Sequence, residues 1–451
     1  MNQRIYGLEN EYGLISSMGG KISLSEDRTL GYLFDNLSTR QRSTNVFLKN
    51  GARLYQDTGG HPEYATPECT NALDLITYDK AGERILEELG EAAERQLAAE
   101  GLAIRIHLFK NNTDSAGNTY GCHENYLVDR DINFQKLAEL LIPFFVTRQV
   151  YAGAGKVLKT PCGYHFFISQ RAQHIYQKIS GATTCFRSII NTRDEPHADA
   201  ERYRRLHVIV GDSNMSELAS YLKTGVTGIV LSMLEDGFLT SKLILRDPVR
   251  AIREISSDTS LKRKVKLDRG LEFSAVEIQR EYHNLAVDYF KNKEVDEMTA
   301  DILQRWGSVL KRLEGEPDLL IREVDWAIKK NLLNSFMKKC KIGLDDQRIA
   351  MMDLQYHNIR QARSFYYLLQ RKGLLDRILS EKDIAKAMES PPQDTRAKLR
   401  GDFIRRANEK CKSYSVDWSY LKVNDRYQRT VICKDPFRHS DLRVQEMLSS
   451  L

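Results

Sequence analysis

Apolar positions in the first half of the chain follow both strand-like and helix-like spacing. Residues 103–108 carry an apolar side chain at every second position, which predicts a half-buried strand. Residues 163–169 and 207–210 are rich in β-branched and aromatic side chains and predict further strands. Residues 78–99 and 134–146 instead space their apolar side chains as amphipathic helices do. This half of the chain therefore mixes strands with helices.

From about residue 247 the pattern becomes mostly helical, with apolar side chains recurring every three or four residues. The predicted helical segments here are residues 295–313, 320–336 and 351–375. Pro391 and Pro392 then interrupt the pattern, and a short segment with its own aromatic residues follows. We predict an α+β fold with an antiparallel sheet, divided into a large domain of residues 1–385 and a small C-terminal domain of residues 386–451.

Composition and net charge limit the kinds of protein and partner that this sequence is compatible with. The 451 residues are 41% hydrophobic, which suffices for a large core. The net charge of +6 is too slight to require a polyanion, and we expect no nucleic-acid partner. None of the seven cysteines forms a C-x-x-C pair, which predicts reduced thiols and no zinc ribbon. We find neither an apolar leader nor a membrane-length apolar run, and we expect a cytoplasmic location without membrane attachment.

Two carboxylates near the N-terminus give the first chemical signal. Glu9 and Glu11 would point to the same face of a strand over residues 7–14, because side chains alternate along a strand. Two carboxylates on one face repel each other unless a cation lies between them. Carboxylate oxygens are the ligands that Mg²⁺ prefers, usually together with nucleotide phosphates. The N-terminus therefore indicates an enzyme that uses a metal and a nucleotide.

A second polar segment, residues 53–68, complements the first. Arg53, Tyr55 and Asp57 share one face of a predicted strand, which would place a phosphate-binding guanidinium beside a metal ligand and a carboxylate base. Glu63 and Glu68 follow closely. Any one of these acids alone is more simply a solvated surface charge, but the group as a whole favours a functional site.

Two other segments each allow two interpretations, and a third lacks the spacing of the motif that it superficially resembles. Residues 110–125 are either a site-building loop after a strand or an Asn/Gly-rich turn. Residues 192–205 are either an arginine-rich binding segment or a salt-bridged surface loop. Residues 153–157 lack the spacing of a phosphate-binding loop and predict a tight turn. The ten histidines show no zinc-hydrolase pairing, so each is interpreted as structural.

Several of these segments resemble the Pup-ligase family of glutamine synthetase-like carboxylate–amine ligases. The matching motifs are GLENEYG at 7–13, NGARLYQD at 50–57, HPEYATPE at 61–68, FKNNTD at 109–114, residues 191–199 and VDW at 416–418. The resemblance implies a curved antiparallel sheet that forms a cradle packed with helices and holds ATP and Mg²⁺, followed by a small C-terminal domain that contributes to the nucleotide site.

The resemblance also implies an activity and partners. ATP would phosphorylate the side-chain carboxylate of the C-terminal glutamate of a Pup-like protein modifier. Lysine ε-amines of target proteins would then attack the acyl phosphate, forming an isopeptide bond that marks the targets for proteasomal degradation. The chain itself is expected to be a monomer.

Residue roles follow from the resemblance by motif position. The implied Mg²⁺ ligands are Glu9, Tyr55 and Glu63; the implied ATP contacts are Arg53, Thr66 and Trp418; the implied proton acceptor is Asp57. Glu11 is implied only as a second-sphere group. Gln56 departs from the small or aliphatic residue that the family pattern leads us to expect.

Two alternatives share these motifs. The sister enzyme of the family deamidates the modifier and removes it from conjugates, and it carries an extra loop between the two acidic strands. Residues 12–49 leave no room for a long insertion, which favours the ligase. A non-catalytic adaptor is the second alternative, and it is disfavoured because the implied catalytic positions are intact.

Overall fold

The computed structural model describes residues 3–37, 43–114, 116–182, 186–239 and 241–451. Residues 38–42, which belong to the short connection between the acidic strands, lie outside this part, as does Cys185. The strands are β1 Tyr6–Glu11, β2 Gly13–Met18, β3 Lys21–Ile22, β4 Asn45–Phe47, β5 Arg53–Gln56, β6 Pro62–Ala65, β7 Arg105–Phe109, β8 Cys122–Asp129, β9 Lys156–Thr160, β10 Gly163–Phe167, β11 Gln177–Ser180, β12 Ser188–Asn191, β13 Tyr203–Val208, β14 Lys264–Lys266, β15 Glu272–Ser274, β16 Tyr414–Asp417, β17 Tyr420–Val423 and β18 Thr430–Ile432.

Helices make up most of the remaining described residues. They are α1 Glu26–Asp35, α2 Ala72–Ala99, α3 Phe134–Thr147, α4 Gln149–Ala152, α5 Glu217–Glu235, α6 Pro248–Ser257, α7 Ala275–Phe290, α8 Glu297–Gly315, α9 Asp325–Cys340, α10 Gln347–Tyr356, α11 Phe365–Arg371, α12 Glu381–Glu389, α13 Ala397–Glu409 and α14 Leu442–Ser449. Short 3-10 helices occur at Ala172–His174, Ser241–Leu243 and Pro317–Leu320.

An eight-stranded sheet organises the molecule, in the strand order β11–β12–β13–β8–β1–β6–β5–β4. Its neighbouring strands are antiparallel except for the parallel pair β11 and β12. This sheet and the helices packed on it confirm the predicted α+β fold with a mainly antiparallel sheet.

The two faces of this sheet have different surroundings. Leu8 and Asn10 of β1 are buried on the helical side, where Asn10 Nδ2 donates to Asp79 Oδ1 of α2 at 2.8 Å. Glu9 and Glu11 alternate with them and therefore lie on the opposite face. One face of the sheet thus belongs to the hydrophobic core, and the other is left to form a site.

The strand predicted over residues 7–14 is split between two sheets. After Glu11 the chain turns at Tyr12, whose backbone N–H donates to the Pro62 carbonyl at 3.0 Å. β2 then pairs with β3 and β7 in a separate three-stranded sheet. Gly13 permits this crossing, since a Cβ there would lie 2.6 Å from the Tyr120 hydroxyl oxygen. Glu11 therefore stands at the end of its strand.

Most of the predicted helices are confirmed, but the single helix predicted over residues 351–375 is wrong. The structure has two helices there, α10 and α11. Between them the chain runs beside β7, where the Lys110 N–H donates to the His357 carbonyl and the Ile359 N–H donates to the Leu108 carbonyl. Backbone pairing with a strand therefore replaces the helical hydrogen bonds at this point.

The C-terminal segment forms its own small core around β16–β18, α13 and α14. Phe403, Tyr414 and Val444 are buried in it, together with Phe47 from β4. The predicted domain boundary stays a prediction: residue 386 lies within α12, whereas Pro391 and Pro392 lie in the connection from α12 to α13.

A buried ion cluster joins the C-terminal segment to the sheet. Glu68 Oε1 accepts from Arg396 Nε at 2.7 Å, and both Glu68 oxygens accept from Arg400. Burial alone would raise the pKa of Glu68, but Arg400 and Arg396 lower this pKa to about 2. The ionised form of Glu68 is therefore the one that holds the two parts together.

We expect Glu68→Gln to lower the free energy of unfolding at pH 7 by about 3 kcal/mol, because the two arginines would keep buried charges without a partner. The pKa of Glu68 lies below its usual value of 4.5, so this stabilisation is complete above that pH and is lost as the pH falls toward 2. Urea unfolding at several pH values measures the difference.

Glu389→Gln is the matched control for that measurement. Glu389 pairs with Lys49 across the same junction, but its side chain is 64% exposed. Its removal should cost less than about 1 kcal/mol. Equal losses in the two variants would contradict the assignment of the junction to the buried cluster.

No helix in the described ranges is both long enough and apolar enough to cross a membrane.

Candidate active site

The face of the sheet opposite the helices lines a cavity of about 490 Å³. Alternation along five neighbouring strands brings its polar side chains together, since every second residue points into it. The strand residues that line the cavity are Glu9, Glu11, Arg53, Tyr55, Glu63, Ala65, His123, Arg205 and His207, together with Gln56 at the end of β5. The cavity therefore joins the two acidic segments that the sequence analysis singled out.

Strand register decides which of these side chains are neighbours. Glu63 lies opposite Glu11 on one side and opposite Tyr55 on the other. Glu9 lies opposite His123 of β8. Residues directly opposite in an antiparallel pair have Cβ atoms about 5 Å apart. The register thus places the three predicted Mg²⁺ ligands and Glu11 in one compact group.

Glu63 carries the strongest electrostatic signal in this group. Burial raises the pKa of Glu63 well above its usual value, and the charges of Glu9 and Glu11 raise this pKa further. Atoms of Glu11, Glu63 and His123 lie within 4.8 Å of one another. A hard divalent cation would relieve this repulsion, so the oxygen donors present fit Mg²⁺.

Glu9 lies in a more cationic environment. Burial alone would raise the pKa of Glu9, but a hydrogen bond with His123 and the nearby His207 and Arg205 lower this pKa well below its usual value. Asn125 Nδ2 also donates to Glu9 Oε1 at 3.1 Å. Glu9 is therefore ionised and oriented before any ligand binds.

Asp57 lies at the mouth of the cavity, directly after β5. Its Oδ1 accepts from the His61 backbone N–H at 2.6 Å, and the His61 ring nitrogen lies 3.6 Å from the same oxygen. Burial alone would raise the pKa of Asp57, but its hydrogen bonds with His61 lower this pKa. The carboxylate is thus ionised near neutral pH, as a proton acceptor must be.

An adjoining, mainly apolar compartment contains the other predicted nucleotide contacts. It is lined by Thr66 and Trp418, and it shares Glu9 and Trp418 with the main cavity. Thr66 Oγ1 accepts from the Leu8 N–H at 3.0 Å. Trp418 lies at the turn between β16 and β17, with its ring 5.0 Å from the ring of Phe47. The C-terminal segment therefore supplies one wall of the site.

The structure brings together all seven predicted site residues in these two connected compartments. It also adds side chains that the sequence analysis missed. His123 and His207 were interpreted as structural, yet both line the cavity beside Glu9. Arg171 was not singled out at all. Alternation along β8 and β13 assigns each histidine to one strand face but not to this cavity, and no periodic pattern marks Arg171.

The two segments with open interpretations both reach the cavity, but the first does so only at its end. Lys110 is buried, and its Nζ donates to Asp79 at 2.6 Å and to Glu83 at 2.8 Å, so the start of residues 110–125 belongs to the core. Residues 192–205, in contrast, contribute Arg193, Glu195 and Arg205 to the cavity. The first segment is structural at its start but lines the cavity at its end, through Thr119, Tyr120, Gly121 and His123, and the second also takes part in the site.

Comparisons with known proteins agree with this geometry. The family model described as "Pup-ligase protein" matches residues 4–422. The chain is 53% identical to the Pup–protein ligase of Geodermatophilus obscurus over the full length of both proteins.

Two solved structures are similar along nearly the whole chain. One is a complex of the prokaryotic ubiquitin-like protein Pup with its ligase PafA; it has a TM-score of 0.94 and 39% identity, and the match covers 100% of this chain and 91% of that one. The other is PafA in complex with ADP, with a TM-score of 0.86, 38% identity and 96% of each chain covered.

Proposed function

This chain belongs to the Pup-ligase family, and we propose that its cavity joins the C-terminal glutamate of a Pup-like modifier to lysine side chains of target proteins at the expense of ATP. The observation that carries the proposal is the convergence of Glu9, Glu63 and Asp57 in one cavity beside an apolar compartment. The chain is an ATP-dependent ligase, and the alternative of a deamidase is not favoured, since the relatives described above are ligases.

The apolar compartment is the proposed nucleotide site. Trp418 offers an aromatic face for the base, and Thr66 lies at the floor beside Glu9. Arg53 lines the polar cavity, and its guanidinium lies 4.2 Å from the centroid of the Tyr55 ring, which orients it. We assign to Arg53 the phosphates, because a guanidinium binds phosphate oxygens in a bidentate manner.

Glu9, Tyr55 and Glu63 are the residues that would hold Mg²⁺. When bound, the ion would neutralise charge on the transferring phosphoryl group. Tyr55 and Glu63 share a hydrogen bond, and the raised pKa of Glu63 supports the proposal that a cation binds beside this carboxyl group.

Asp57 is the proposed base of the second step. The modifier's side-chain carboxylate becomes an electrophile once it carries a phosphate. The attacking lysine must lose a proton first, since its pKa in water is about 10.4. Asp57 accepts that proton, and phosphate leaves as the isopeptide bond forms. We further propose that the chain acts as a monomer, with its own C-terminal segment completing the site.

The proposed activity is tested with the purified full chain, ATP, Mg²⁺, a synthetic Pup-like modifier ending in glutamate and a lysine-rich substrate protein. We expect a conjugate and ADP in equal amounts. Cleavage of a preformed conjugate without net ATP consumption would instead support the deamidase. Modifier binding without nucleotide binding would support the adaptor.

A further inference from the structure

The cationic side chains on the cavity wall differ in whether they have partners. Arg53 Nε donates to Asn45 Oδ1 at 2.8 Å. Arg193 and Arg205 lie 3.7 and 3.8 Å from carboxylate oxygens of Glu195. A neutral amide thus orients Arg53, whereas a carboxylate orients and partly neutralises Arg193 and Arg205.

Arg171 is different. It is only 1% exposed, and although the charges of Glu11 and Asp212 attract it, its guanidinium makes no direct ion pair with a carboxylate of the described residues. One terminal nitrogen donates to the Tyr120 carbonyl, while its buried Nε has no hydrogen-bond partner in the described part of the chain. A buried charge without a partner costs several kcal/mol. Such a group on a cavity wall therefore indicates that an anion completes it.

Arg187 strengthens this local positive field. Its Nη2 donates to the Thr119 carbonyl at 2.6 Å, so consecutive carbonyls of one segment hold the two guanidinium groups. Both side chains line the cavity, and their charges repel each other. An anion between them would remove this repulsion.

The position of Arg171 indicates which anion this is. The Tyr120 ring, next to the carbonyl that Arg171 binds, stacks on His61 at 4.4 Å, and His61 in turn binds Asp57. Arg171 therefore lies at the Asp57 end of the cavity and is absent from the lining of the apolar compartment that contains Trp418. The anion belongs to the substrate end rather than to the nucleotide.

We propose that Arg171, supported by Arg187, binds the free α-carboxylate of the modifier's last residue; this inference rests on the proposed function. The side-chain carboxylate of that glutamate reacts, whereas its α-carboxylate stays charged through both steps. An internal glutamate has no α-carboxylate. Arg171 is thus a specificity-determining residue that selects the chain-terminal glutamate and orients its side chain toward the phosphates.

The test compares two synthetic modifiers that differ only at the last α-carboxyl group, which is either the free acid or the carboxamide. The side-chain carboxylate is present in both. For the wild-type chain we expect KM for the carboxamide to be at least about tenfold higher, since charge-assisted hydrogen bonds are lost. Arg171→Gln should raise KM for the acid by a similar factor and abolish the discrimination, while KM for ATP changes less than about twofold.

Arg202→Gln is the matched control. Arg202 is exposed and stacks on Tyr203 at 4.9 Å outside the cavity, so we expect full discrimination in this variant. If Arg171→Gln does not fold, Arg187→Gln and the wild-type comparison still decide the question. Equal use of both modifiers by the wild-type chain would overturn the proposal.

Two other outcomes are also distinguishable. An Arg171→Gln variant that raises KM for ATP but keeps the discrimination would assign the guanidinium to a nucleotide phosphate and overturn the proposal. A wild-type chain that conjugates neither modifier would contradict the proposed function itself.

Discussion

Asp57→Asn should reduce lysine conjugation by about 10²–10⁴-fold, the usual contribution of a positioned general base. An amide cannot accept the proton of the attacking lysine, while its shape preserves the backbone hydrogen bond from His61. Phosphorylation of the modifier does not need this base. ADP should therefore still form in a single turnover, although the conjugate follows only at the reduced rate.

A reaction with hydroxylamine distinguishes a variant that has lost only the general base from a variant whose active site is disrupted. This small amine is already unprotonated near neutral pH and can attack an acyl phosphate directly. We expect Asp57→Asn to keep most of the hydroxamate formation while losing conjugation to lysine. Asp27→Asn serves as the control, because Asp27 is an exposed carboxylate near the cavity mouth. Equal loss of both products in Asp57→Asn would remove Asp57 from the role of base.

Glu63→Gln should have opposite effects on stability and on activity. The substitution removes a buried carboxyl group that lies beside Glu9 and Glu11, so the melting temperature of the ligand-free chain should stay the same or rise. Conjugation should fall by about 10²-fold or more, since the Mg²⁺ contribution to charge stabilisation amounts to several kcal/mol. An unchanged or higher melting temperature together with reduced conjugation is an uncommon result for a substitution at a buried polar position.

Thermal unfolding with and without MgADP measures both halves of this prediction. The wild-type chain should be stabilised by MgADP more than by ADP alone, and Glu63→Gln should lose that difference. Glu26→Gln, an exposed acid at the start of α1, should behave as the wild-type chain. A Glu63→Gln variant with unchanged Mg²⁺ dependence would contradict the assignment of Glu63 as a ligand.

Alternation along single strands was enough to predict part of the site. The rule that Glu9 and Glu11 share a face, and that Arg53 and Tyr55 share another, needs no knowledge of the fold. The structure then shows that both sets of side chains lie on the same face of one sheet, because β6 lies between β1 and β5. Pairing of strands distant in sequence is set by tertiary packing, so local pattern alone could not place His207 of β13 in the same cavity.

Other site residues, and the boundaries of one predicted helix, could not be obtained from strand alternation. Thr66 and Trp418 entered only through family resemblance, since nothing in composition distinguishes Trp418 from a core residue. Arg171 precedes a short 3-10 helix in an irregular segment, where no spacing rule applies. The helix predicted over residues 351–375 failed for a similar reason: its apolar spacing is helical, but β7 offers the chain between α10 and α11 backbone partners that no local pattern reveals.

The buried cluster at the junction has a thermodynamic consequence for the nucleotide. Arg400 binds Glu68 and also lies 4.8 Å from the Trp418 ring, so the contact that docks the C-terminal segment also positions the aromatic wall. Nucleotide binding and docking of the C-terminal segment are then linked equilibria, so each increases the equilibrium constant of the other by the same factor. Saturating nucleotide should slow amide exchange throughout β16–β18, far beyond the residues it touches. Weakening the junction at Arg400, which lines neither compartment, should lower nucleotide affinity.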